Sequence, residues 1–156
     1  MFDKQVYIDR RNALKKNFKN GILLFPGNDE SALNYPGNTY KFRQDSSFFY
    51  YFGIDVPNMF GVIDLDENKD YLFGYEFSVE DTVWMGAQPK LAELAALIGI
   101  ENSESIDKLE KFLISKKKKQ TKFHFLPTYR GDQSLKIANL LGENPYKLKS
   151  KFSKKL

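Results

Sequence analysis

Cysteine is absent from this 156-residue chain, which excludes disulfides, thiolate nucleophiles and zinc–thiolate centres together. Histidine occurs once, at His124, so a metal site with two imidazole ligands cannot be built. Also missing are the Gly-x-Ser-x-Gly elbow of hydrolases, the Gly-x-x-x-x-Gly-Lys phosphate loop and the Gly-x-Gly-x-x-Gly dinucleotide fingerprint. No apolar run approaches the ~18 residues of a membrane span, and Met1-Phe2-Asp3-Lys4-Gln5 carries no signal-peptide core. These absences lead us to expect a cytoplasmic chain with no membrane association, no bound cofactor and no catalytic residue of its own.

What is present suits one globular domain. A chain of this size can bury roughly 70% of its unfolded surface, and 42% of its residues are hydrophobic. The net charge of +4 is unevenly spread: residues 116–156 hold 12 Lys and Arg against 2 Asp and Glu, and residues 1–115 hold 12 against 18. A basic block of this kind suits nucleic acid, an acidic partner or a solvated face. The aromatic residues are not interleaved with the lysines and no nucleic-acid motif is present, so the solvated face is favoured over a nucleic-acid-binding module. Lys116, Lys117, Lys118 and Lys119 also close a helical pattern, where cations suit the helix dipole.

Periodicity alternates between helix and strand. Residues 6–18 have a helical stripe of Val6, Ala13, Leu14 and Phe18, and residues 21–26 form a continuous apolar run that reads as a buried strand. Residues 27–40 read as a long loop. The aromatic run 48–52 reads as a strand, followed by strands at 60–65 and 70–73 that suit a hairpin. Pro89, Leu91, Leu94, Ala95 and Ile98 predict a helix ended by Gly99. Ser105 is placed to cap a further helix bearing Ile106, Leu109, Phe112 and Leu113. A fifth strand at 123–127 and a helix over 132–141, stopped by Gly142, complete the pattern. The expected architecture is a single α/β domain over residues 1–145, with a mixed sheet of five or six strands and flanking helices, and a basic tail over 146–156.

Four places merit a chemical reading. Arg43 and Asp45, two apart before an apolar run, can share one polar pocket as a guanidinium–carboxylate pair; a structural role is favoured over substrate binding, because charge beside a buried segment must be paired. His124 alternates with Phe123 and Phe125 and reads as a hydrogen-bonded packing residue. Asp64 and Asp66 could hold a hard cation, yet their surroundings, Leu65, Glu67, Asn68, Lys69 and Asp70, have the composition of a turn whose acids satisfy backbone groups. Trp84, the only tryptophan, precedes the Pro89 helix and suits either a contact anchor or a core cap.

The run Phe42-Arg43-Gln44-Asp45-Ser46 leading to Gly53 resembles the N-terminal domain of the creatinase, prolidase and aminopeptidase P family. Pro26-Gly27-Asn28, Asn34-Tyr35, Gly61-Val62-Ile63-Asp64-Leu65 and Trp84-Met85-Gly86 are similar to the same family in order and spacing, with aminopeptidase P the nearer branch and prolidase the alternative. The resemblance implies that this domain precedes a catalytic domain, absent from this chain, which holds two divalent metals, manganese as a rule. It implies a dimer or tetramer, peptide substrates with proline at the second position, and a contribution to assembly and active-site access. By the same resemblance Trp84 reaches a substrate pocket across a subunit interface, whereas Arg43 and Asp45 are structural.

Overall fold

Side chains that alternate along three apolar strands bury both faces of one sheet, and the helices cover those faces. The computed structural model describes residues 2–77, 83, 86 and 88–150. In chain order the elements are α1 (Lys4–Lys15), β1 (Ile22–Pro26), β2 (Ala32–Tyr35), β3 (Asn38–Thr39), α2 (Ser46–Phe52), β4 (Phe60–Asp64), β5 (Lys69–Gly74), α3 (Leu91–Leu97), β6 (Asn102–Ser105), α4 (Leu109–Lys118), β7 (Phe123–Phe125) and α5 (Gly131–Leu141). Short 3-10 segments occupy Ile106–Lys108 and Pro145–Ser150. The main sheet has the order β6-β5-β4-β1-β7, and β2 and β3 form a separate two-stranded hairpin.

The sheet is mixed. β1 pairs antiparallel with β4 and β4 antiparallel with β5, whereas β7 and β6 add in parallel on the two flanks. Leu23, Phe25, Ile63 and Leu72 join one buried cluster with Tyr7, Leu14, Phe48, Phe52 and Leu91, so α1, α2 and α3 lie on that face. Ile22, Leu24, Val62 and Phe73 join the other with Leu109, Leu113, Ile137 and Leu148, so α4, α5 and the last 3-10 segment lie opposite. Each such side chain contributes roughly 1.5–3 kcal/mol on leaving water. Of the expected single α/β domain with a mixed sheet of five or six strands, the five-stranded form is what folds.

Its strand set differs from expectation in two places. Residues 46–52 are the helix α2, not a strand: Phe48 and Phe52, four apart, are buried and stacked at 5.1 Å, while Phe49 and Tyr50 between them are exposed. A short apolar run does not by itself distinguish strand from buried helix. The fifth strand is instead β6, whose residues Asn102-Ser103-Glu104-Ser105 give no apolar signal because they form a half-buried edge. Within the stretch read as a loop, Pro36-Gly37 turns the β2–β3 hairpin. Ser105 makes no side-chain cap; a 3-10 turn intervenes before α4.

Arg11 locks the first layer together. It lies on the same face of α1 as Tyr7 and Leu14, is fully buried, and donates from Nε to Asp70 Oδ2 at 2.8 Å, from Nη1 to the Tyr51 carbonyl at 3.0 Å and from Nη2 to the Ile98 carbonyl at 2.7 Å. One cation thereby serves the C-terminal ends of α2 and α3, where the helix dipole favours it. Burial pulls its guanidinium below the usual value, opposed by Asp70.

Candidate functional site

The segment between β3 and α2 is organised around Gln44 rather than around an ion pair. Gln44 is buried; its Oε1 accepts from the Asn28 amide at 2.7 Å and the Asp45 amide at 2.9 Å, and its Nε2 donates to the carbonyls of Val56 at 2.8 Å and Ile54 at 3.3 Å. A Cβ at Gly27 would lie 3.1 Å from Gln44 Oε1 and 2.7 Å from the Met59 carbonyl, so only glycine lets β1 exit beside this amide. Asp45 is the N-cap of α2, with Oδ1 accepting from the amides of Ser47 and Phe48 at 2.9 Å each. The expected Arg43–Asp45 pair does not form among the described residues: Asp45 faces the helix, and Arg43 projects into solvent. The Arg43 backbone is nevertheless fixed, since Asn28 Nδ2 donates to its carbonyl at 2.8 Å.

Two cavities flank Arg43. One, of 410 Å³, is lined by Phe2, Tyr7, Arg10, Phe49 and Tyr50 among others, with the Arg10 guanidinium 4.0 Å from the Tyr50 ring centre. The other, of 470 Å³, opens beyond the C-terminal ends of β1 and β7. Gln133, on α5, donates from Nε2 to Asn28 Oδ1 at 2.6 Å and ties its floor to the Gln44 cluster. Arg130 is paired with Asp132 at 2.7 Å and also bonds Ser31; that pairing raises the guanidinium and lowers the carboxylate relative to their usual values. The β2–β3 hairpin stands beside this cleft with Leu33 and Tyr35 about half exposed.

The other expected residues fall into structural settings. Asp64 Oδ1 accepts from the amides of Asp66 and Glu67 at 3.0 Å each, Asp66 Oδ1 accepts from the Gly21 amide at 3.1 Å, and Asp64 Oδ2 lies 2.5 Å from Lys116 Nζ. Lys116 also pairs with Glu67. Burial lowers the Lys116 pKa, but its hydrogen bonds to Asp64 and Glu67 outweigh that and raise it; Glu67 is lowered by the same lysine. Among the described residues no group of three or more His, Cys, Asp or Glu is placed to hold a metal ion. His124 Nε2 lies 3.2 Å from the Asn20 carbonyl and its ring meets Phe18 edge-on at 4.9 Å. Trp84 lies outside the described residues. Sequence reasoning assigned no role to Arg11 or Gln133 and marked Asn28 only as part of a motif; Arg11 had a signal, an arginine inside the apolar stripe of Tyr7 and Leu14.

The family model for the N-terminal domain of aminopeptidase P matches residues 7–124. Human Xaa-Pro dipeptidase is 27% identical over 96 residues, 62% of this chain and 20% of that protein. A probable Xaa-Pro aminopeptidase of Talaromyces stipitatus is 26% identical over 101 residues, again spanning 20% of its length. In fold, an aminopeptidase of Pseudomonas aeruginosa superposes with a TM-score of 0.77 at 18% identity, covering 96% of this chain and 34% of that one. Aminopeptidase P from E. coli superposes with a TM-score of 0.65 at 21% identity, covering 74% of this chain and 27% of that one. The chain therefore spans 20% of the length of the curated relatives it matches, and it belongs to the aminopeptidase P N-terminal domain family.

Proposed function

We propose that this chain is the non-catalytic N-terminal domain of a metal-dependent Xaa-Pro aminopeptidase, cytoplasmic, acting through oligomer contacts and control of access to an active site. The observation that carries the reading is the family match over residues 7–124, in a chain that corresponds to 20% of its curated relatives. The described residues offer no metal-ligand cluster, so the residues here do not fit the manganese ions, which this reading assigns to the catalytic domain of the parent enzyme. The exposed β2–β3 hairpin, with Leu33 and Tyr35, suits a contact with such a partner. The same role in a prolidase is the second reading, favoured by the human dipeptidase among the relatives.

Trp84 tests the access role in the enzyme that carries both halves. Trp84→Ala is expected to lower kcat/KM for peptides with proline at the second position while leaving the Tm in place. A variant that melts far lower yet turns over normally per folded molecule overturns the access role and leaves assembly alone.

A further inference from the structure

Of the four arginines in the chain, three are engaged. Arg11 is buried against Asp70 and two helix ends, Arg10 lies over the Tyr50 ring and donates to its carbonyl, and Arg130 is held by Asp132 and Ser31. Among these arginines Arg43 alone has no side-chain partner among the described residues, although the backbone around it is held. Its carbonyl is bonded by Asn28, the next residue is the buried Gln44 clamp, and the one after caps α2. The guanidinium itself is solvent-exposed, but its backbone is held at the rim of a 470 Å³ cleft, so engaging a partner there orders only the side chain.

We propose that this cleft, beyond the C-terminal ends of β1 and β7, binds a small oxyanion, a carboxylate or a phosphate, with Arg43 as its receptor. A planar guanidinium matches either group through two parallel hydrogen bonds. The surrounding charges leave Arg43 free for that role. Asp29 is tied by both oxygens to Lys136 at 3.1 Å, Arg130 is neutralised by Asp132, and Asp45 spends one oxygen on two helix amides. Lys41 at the rim adds a second positive charge without a fixed geometry. The first turn of α5 also opens here, but Asp132 already places a carboxylate on it, accepting from the Gln133 amide, so the selective group is Arg43. Clefts outside the carboxyl ends of sheet strands are recurrent ligand sites in α/β folds.

The test is a titration of the 15N-labelled 156-residue chain, following backbone amides and the Arg43 Nε resonance. The probes are inorganic phosphate, acetyl-Ala-Pro with a free carboxylate, and the same dipeptide amidated, all at fixed ionic strength with chloride as the reference. We expect saturable shifts at Arg43, Asn28 and Gln133 with phosphate or the free acid, lost on amidation, and at least about tenfold weaker in Arg43→Gln. Response to phosphate alone assigns a phosphate site and response to the free acid alone a carboxylate site. Shifts no larger than those from chloride, equal binding of the amide, or unchanged affinity in Arg43→Gln overturns the proposal. The variant tests binding rather than folding, because the Arg43 side chain supports nothing else; an unchanged Tm verifies this.

Discussion

Gln44 and Lys116 are, with Arg11, polar side chains buried in the interior and held by several partners. Gln44 meets two amides and two carbonyls, so Gln44→Leu strands several buried groups and is expected to cost about 2–4 kcal/mol in urea denaturation. A loss below about 0.5 kcal/mol would mean that water replaces the amide. Lys116 neutralises the buried Asp64, so Lys116→Met leaves an uncompensated carboxylate and is expected to cost about 3–5 kcal/mol near neutral pH. The pH dependence has a definite sign. Because the folded pKa of Lys116 is raised, its contribution is complete below the unfolded value of about 10.4 and is lost as pH rises through the folded one. Glu67, lowered by Lys116, contributes above its unfolded value of about 4.3 and loses this as pH falls through the folded one. The stability gap between wild type and Lys116→Met should therefore narrow as pH rises through the raised folded pKa of Lys116; a constant gap contradicts the pairing.

At the scale of elements, α2 shows how a sequence can state a helix in its punctuation while its interior suggests a strand. The aromatic run favours a strand by propensity, but Asp45 before it and Gly53 after it are an N-cap and a left-handed C-terminal stop. Gly53 has φ +66°, and a Cβ there would lie 2.1 Å from the Tyr7 ring. Asp45→Ala is expected to cost about 1 kcal/mol, and Gly53→Ala more, since it combines backbone strain with a clash in the core. Thermal denaturation of the pair checks this order, and the reverse order contradicts the assigned capping. The hairpin β4–β5, α3 and α5 were legible because their apolar periods are clean, whereas in α1 the helix was legible but not its face: Ala13 is exposed and the buried side is Tyr7, Arg11 and Leu14. β6 was not, because a polar edge strand gains its place from backbone pairing with β5 rather than from side-chain burial. Arg43 and Asp45 were legible as a cluster, but their separate directions were not: the turn into α2 breaks the two-residue alternation that would have aimed them together.

For the whole molecule, two helical layers close over a mixed sheet, and the chemistry expected of an Xaa-Pro peptidase has no ligand set among the described residues. The family was legible only through the order and spacing of short motifs, because no set of described residues carries a catalytic signature to read. The central claim, a folded but catalytically silent domain, is tested most directly by assaying the purified 156-residue chain on peptides with proline at the second position, with and without added manganese. The account predicts a cooperative melt and no hydrolysis above a metal-only blank. Turnover that exceeds the blank and survives repurification would contradict it.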